Sequence, residues 1–255
     1  EPFCKHFSVC GGCKWQHLPY EVQLTQKSQQ VVDAFERIGN LDIPEINPII
    51  PSEAERYYRN KLEFTFASIR WLTGDEVDHE HTPQGLKGLG FHVPGRFDKV
   101  VDVDHCWLQP EPSNAIRLFV KKWCVENDIS FYDARQQVGI MRNLIIRNNR
   151  NGDFMVILVF SEKFDGYEEL LQSIHQTFPA VKSLLFVVNG KKNDDISDLT
   201  PVHVYGETYL PESMDGLSFS VGPKSFYQTN TGQAERLYEV AARLAGLTGR
   251  EMVYD

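Results

Sequence analysis

The stretch Arg142–Phe160, RNLIIRNNRNGDFMVILVF, decides the fold. Two β-prone apolar runs flank Asn151–Gly152, and an Asn-Gly pair between such runs signals a hairpin. An antiparallel pair is therefore expected in the middle of the chain. Upstream, in YYRNKLEFTFASIRWL (57–72), Leu62, Phe64 and Phe66 alternate with Lys61, Glu63 and Thr65, which reads as a half-buried strand. LGFHV (89–93) and KVVDVDH (99–105) read as short strands after a polar loop, DEVDHEHTPQGLKG (75–88). Ser113 stands where it can cap a helix whose apolar positions are Ile116, Phe119, Val120, Trp123 and Cys124. Downstream come a helix near Tyr167–Phe178, a strand VKSLLFVV (181–188) and short strands around Val202–Tyr205 and Leu217–Val221.

The two ends differ from this middle. Pro19 can open a helix carrying Leu24, Val31, Val32, Phe35 and Ile38, stopped at Gly39. A proline-rich connector, IPEINPIIPSE, follows. At the other end a helix from about Thr231 to Leu244 places Leu237, Val240, Ala241 and Leu244 on one face. After it, GREMVYD (249–255) resembles the start of a strand. A helix followed by an apolar strand ending in Asp often begins an α/β nucleotide-type domain. The expected class is thus an α+β domain with a mixed or antiparallel sheet, joined to the first elements of an α/β domain.

The chain has 255 residues, 42% hydrophobic and 24% charged, with a net charge of −9. This is ordinary globular composition for one or two domains. No apolar run reaches the ~20 residues of a membrane span. No signal peptide is visible, so a cytoplasmic location is expected. The acidic balance argues against holding nucleic acid by bulk electrostatics. It leaves room for a local basic groove, since Arg56, Arg59, Lys61, Arg142, Arg147, Arg150, Lys191 and Lys192 are locally dense.

Five cysteines are present, three of them in CKHFSVCGGCKWQ (4–16). In a reducing compartment such clustering points to metal ligands or redox groups rather than disulfides. Cys4, Cys10 and Cys13 need a fourth partner for a tetrahedral thiolate site. Cys124 falls on the apolar face of a predicted helix and reads as a small core residue. Cys106 ends a strand before a proline-bounded turn and completes the candidate set. Four thiolates suit zinc or an iron–sulfur cluster equally by spacing. His79, Glu80 and His81 read as a solvated loop rather than a second metal site.

In VGPKSFYQTNTGQAERLY (221–238), Phe226, Tyr227, Gln228 and Asn230 cluster where the chain enters its last helix. An aromatic can stack on a base, and a carboxamide offers it both donor and acceptor. Read alone, the segment is a cap with a core aromatic. Taken in order, however, C-x5-C-G-G-C-x2-Q, YRNKLEF, VVDVDHCWL and SFYQTN…AERLY resemble the RNA uracil-5-methyltransferases that use S-adenosylmethionine. The resemblance runs from Phe3 to Asp255. The four cysteines resemble the branch with a [4Fe–4S] cluster, typified by enzymes of 23S ribosomal RNA.

That resemblance implies several things. Cys4, Cys10, Cys13 and Cys106 would ligate the cluster. Gln228 would sit at the S-adenosylmethionine and uracil site, Phe226 would be its aromatic, and Asn230 would support them. Arg59 and Lys61 would contact RNA, with Arg142, Arg147 and Lys191–Lys192 as weaker candidates; a solvated strand face with Glu63 as ion-pair partner is the alternative. Methylation of uridine C5 would proceed by cysteine addition to C6 of a flipped-out base, methyl transfer and proton removal. The cofactor loop, nucleophile and base of the family lie beyond Asp255, so the chain by itself is expected to be inactive. Residues 1–15 and 48–224 would form the iron–sulfur RNA-binding domain. Residues 16–47 and 225–255 would belong to or pack on the methyltransferase domain. Ribosomal RNA is favoured over transfer RNA, no membrane partner is expected, and a monomer is expected. The competing reading is a non-catalytic RNA-binding module with an iron–sulfur cluster or zinc.

Overall fold

The computed structural model describes residues 1–43, 45–77 and 86–254. The 142–160 stretch forms β4 (Met141–Asn148) and β5 (Phe154–Phe160), paired antiparallel with Ile145 opposite Ile157. Gly152 adopts φ +80° in the turn, a conformation that favours glycine. Every residue from Met141 to Arg147 and from Phe154 to Phe160 is buried. These strands are covered on both faces, which is why their apolar runs are nearly continuous rather than alternating.

The sheet grows outward from this pair. β1 (Lys61–Ala67) pairs with β4, β2 (Gly88–His92) with β1, and β3 (Val100–Asp102) with β2, all antiparallel. On the other side β6 (Val181–Val188) lies parallel to β5, and β7 (Val202–Gly206) is antiparallel to β6. The order is β3-β2-β1-β4-β5-β6-β7. The single parallel step needs a crossover, which α3 (Tyr167–Thr177) supplies. The sheet is therefore mostly antiparallel and partly parallel.

One face carries the main core. Phe64, Leu144, Ile146, Val156, Leu158 and Phe186 pack there against Ile116, Val120 and Cys124 of α2 (Ser113–Glu126) and Leu170, Leu171 and Ile174 of α3. On the opposite face Ile145, Met155, Ile157 and Val187 are covered by Ile196, Leu199 and Leu210. Leu210 begins β8 (Leu210–Met214), which pairs with β9 (Leu217–Val221) in a separate hairpin. The sequence reading missed β8, although Asp215–Gly216, both at positive φ, is a hairpin-turn pair.

Three further expectations change. Ser113 does not cap α2; its hydroxyl donates to Gln109, and the Glu111 carboxylate accepts from the Ala115 amide at 3.2 Å. Residues 250–254 form no strand, because no neighbouring strand among the described residues pairs with them. The terminal helices hardly enter the core. α1 (Tyr20–Asp33) buries no residue, and α4 (Thr231–Ala245) buries only Thr231 and Ala234. Leu237 and Leu244, which share one face of α4, are 59% and 73% exposed. His79, Glu80 and His81 lie outside the described residues. Among those described, no helix is long and apolar enough to cross a membrane.

Candidate functional site

The N-terminal loop is wound by short-range bonds. Phe7 N donates to Cys4 O at 3.0 Å and Cys10 N to His6 O at 2.9 Å. It is pinned to β2 where Gly11 N donates to His92 O at 3.0 Å. A Cβ at Gly11 would stand 2.6 Å from that same oxygen, so the first glycine of the pair is needed for close approach. Cys4 N donates to the Gln16 carboxamide at 3.2 Å. Cys106, in the turn after β3, is clamped by Asn114 of α2. Its N–H donates to Asn114 Oδ1 at 2.7 Å and its carbonyl accepts from Asn114 Nδ2 at 3.1 Å.

The folded chain thus brings Cys4, Cys10, Cys13 and Cys106 around one small cavity, walled also by Phe91 and Trp107. Cys124 is not part of it and sits fully buried in the main core. All five cysteines are free. Burial pushes the Cys10 and Cys106 thiols up to about 11 and raises Cys13. Among the described residues, however, no three His, Cys, Asp or Glu side chains form a group that could hold a metal ion.

A buried cation stands near Cys106. Arg117 of α2 is fully buried and donates to Leu89 O at 3.3 Å and Asp104 O at 2.9 Å, while its Nε has no partner. The acids around it are engaged elsewhere: Asp102 with Lys121, and the exposed Asp104 with Lys5. Asp102 and Asp104 still act on the Arg117 guanidinium through space, and burial lowers its pKa.

The second locus is the segment Ser225–Thr231. Residues 57–60, just before β1, tie it to the first. Tyr57 N donates to Trp107 O at 2.7 Å and Arg59 N to Leu108 O at 2.8 Å, gripping the turn that follows Cys106. Asn60 faces the other way. Its N–H donates to Thr229 O at 2.8 Å, and its Nδ2 donates to Gln228 O at 2.7 Å and Thr231 Oγ1 at 2.8 Å. Arg147 of β4 adds a donor to Ser225 O at 2.6 Å. Asn60 was not singled out from the sequence, although it lies within the YRNKLEF motif.

On this support Phe226 stands 85% exposed, and the Gln228 side chain makes no hydrogen bond to a described residue. Both are free to meet a ligand. Asn230 has a structural role: its Oδ1 accepts from Gln233 N at 3.1 Å, capping α4. The Tyr227 hydroxyl is buried without a partner, and burial pushes it up to about 12.

The basic candidates separate. Arg147 and Arg142 are 6% and 2% exposed and serve the fold. Arg142 donates to the carbonyls of Asn189, Lys191 and Asn193 and to Asp194, holding the loop after β6. Lys191 pairs with Asp198, while Lys192 is exposed. Lys61 pairs with Glu63 at 3.8 Å, as the solvated-face alternative has it, and burial lowers its pKa. Arg59 turns its Nε onto Lys61 O at 3.1 Å.

Along its whole length the chain is similar to proteins named as RNA methyltransferases. It is 50% identical over 259 residues to an uncharacterized RNA methyltransferase of Bacteroides thetaiotaomicron, and 49% identical over 260 residues to one of Porphyromonas gingivalis. Both matches cover 100% of this chain, which spans 57% and 56% of the two relatives. No family model matches. Among solved structures, the tRNA (uracil-54, C5)-methyltransferase of Pyrococcus abyssi in complex with S-adenosyl-L-homocysteine is similar, with a TM-score of 0.67 and 25% identity. That match covers 92% of this chain and 50% of the archaeal one.

Proposed function

We propose that the protein methylates C5 of a uridine in RNA, with S-adenosylmethionine as methyl donor. The observation that carries this reading is the similarity, along the whole of this chain, to proteins named RNA methyltransferases, with the likeness over 92% of it to a solved tRNA uracil-C5 methyltransferase holding S-adenosyl-L-homocysteine. The cofactor supplies an electrophilic methyl group. This chain's part is presentation: Asn60 and Arg147 fix the 225–231 backbone, so that the Gln228 carboxamide and the Phe226 ring are offered together at the cofactor and uracil site. The nucleophilic cysteine and the base are assigned to no residue of this chain. Residues 1–15 and 48–224 form the RNA-binding part, and 16–47 with 225–255 belong with the methyltransferase part. A cytoplasmic monomer acting on ribosomal rather than transfer RNA completes the reading.

Cys4, Cys10, Cys13 and Cys106 fit a [4Fe–4S] cluster. What supports this reading is the donor set: all four are thiols and they line one cavity. A bound cluster would cross-link the N-terminal loop to the turn after β3. Uracil methylation by cysteine addition transfers no electrons, so the group's role is architectural.

The test is transfer of labelled methyl by the full-length protein to ribosomal RNA and to transfer RNA, with nucleoside mass spectrometry. 5-Methyluridine in the ribosomal sample is the expected result. Label in transfer RNA only would redirect the substrate, and none in either would favour a binding module.

A further inference from the structure

A cleft of about 630 Å³ opens between the cysteine loop, α1, residues 49–58 and the start of α4. Trp15, Tyr20, Tyr58, Lys14 and Lys27 line it. Asn230 and Gln233 form its far edge, so it runs into the segment that presents Phe226 and Gln228.

The walls are fixed. Gln23 Nε2 donates to Trp15 O at 3.1 Å and Leu18 O at 3.0 Å, setting the turn that carries the indole. The Tyr20 hydroxyl accepts from Ser52 N at 2.7 Å, and Gln233 Nε2 donates to Ile50 O at 3.0 Å. Within the cleft, by contrast, polar groups remain unspent. The Trp15 indole N–H bonds to no described residue, and no described carboxylate lies within 4 Å of Lys14 or Lys27. Lys27 stands 5.7 Å from the Trp15 ring centroid. Among its described lining residues Glu55 is the only acid, against the two cations Lys14 and Lys27.

Fixed aromatic faces beside free ammonium groups are how proteins hold unpaired nucleotides: bases stack and phosphates pair. We propose that this cleft binds a single-stranded RNA nucleotide flanking the methylated uridine, its base on Trp15 and its phosphates on Lys14 and Lys27. The assignment rests on the RNA methyltransferase reading and extends it to a second contact point. It also gives the cysteine loop a reason to be rigid, because Cys13 and Trp15 share that loop and the cleft wall.

The probe is a short unstructured uridine-rich oligoribonucleotide, titrated into the full-length protein while tryptophan fluorescence is followed. Fluorescence anisotropy of labelled oligonucleotide gives affinity independently. Wild type should show quenching. Trp15→Phe should keep the affinity but lose most of the quenching, and Trp15→Ala should weaken binding roughly tenfold or more. Lys14→Ala and Lys27→Ala should each flatten the slope of log affinity against log salt by about 0.7. RNA binding by wild type with unchanged affinity in Trp15→Ala would overturn the cleft assignment and leave the enzyme reading intact. Quenching of Trp15 by S-adenosyl-L-homocysteine but not by RNA would also overturn it, making the cleft a cofactor site. No RNA binding by wild type would sink the underlying reading.

Discussion

Replacing Asn60 with Ala should loosen the 228–233 segment without unfolding the sheet. The Asn60 side chain is 9% exposed and donates to Gln228 O and Thr231 Oγ1 at 2.7 and 2.8 Å. Removing it strands a carbonyl and a hydroxyl, each costing about 1–3 kcal/mol when buried. Thr231 is buried, while the Gln228 carbonyl can partly rehydrate, so a total of about 3 kcal/mol is reasonable. At 1.4 kcal/mol per tenfold, local opening would become roughly a hundredfold more frequent. Native-state hydrogen exchange resolves this. The Asn60, Gln233 and Ala234 amides, bonded to Thr229 O, Asn230 Oδ1 and Asn230 O, should exchange about a hundredfold faster. Amides of β4 and β5 should hold their rates. If they accelerate equally, Asn60 supports the whole fold; if nothing accelerates, the two bonds do not hold the segment. Asn60→Asp should not rescue, since a carboxylate cannot donate to Gln228 O.

Cys106→Ser should abolish iron and sulfide binding in anaerobically prepared protein while Cys124→Ser retains it, read by metal analysis and visible absorption; zinc without iron in the wild type would refute the cluster. Arg117→Met should hasten bleaching of the visible band in air, because a cluster held by these thiols would lose the buried cation beside Cys106; an unchanged decay would show that the guanidinium does not serve it. Burial raises the Cys124 thiol from 9.0 to about 12, so its contribution to stability is whole below pH 9 and is lost as pH rises toward 12. Stability of the wild type relative to Cys124→Ala should then fall above pH 9 by up to roughly 1.4 kcal/mol per pH unit in denaturant titrations, and parallel curves would mean the thiol titrates normally.

Much of the sheet was legible because its strands obey local rules. The Asn151–Gly152 turn and the alternation of Leu62, Phe64 and Phe66 fixed β1, β4 and β5. β8 escaped because Pro211, Glu212 and Ser213 are poor strand formers; its pairing with β9 overrides propensity. Gathering Cys106 with the N-terminal cysteines was legible from a turn position and a family motif, and the fold places all four around one cavity. The burial of Arg142 and Arg147, weaker RNA candidates by sequence, was not legible, because nothing local distinguishes a solvated arginine from one that donates to carbonyls across the fold. Asn60 was illegible for the same reason, its partners lying 168 and 171 residues away.

The hydrogen bonds of residues 57–60 explain why two distant motifs need each other. Two amides in this short segment grip the turn after Cys106, and the next residue grips the segment presenting Gln228. A shift of the cysteine loop would move Trp107 and Leu108, and with them the start of β1. Arg59 bridges to Asn230 in the same place, so the strap has little slack. Side chains that bind a reacting base must be held within a fraction of an ångström. A cross-link of the N-terminal loop to the turn after β3 would therefore reach Gln228 through the hydrogen bonds of Arg59 and Asn60. On the proposed reading, a group bound by the cysteines would bear on methyl transfer along this path without touching substrate or moving an electron.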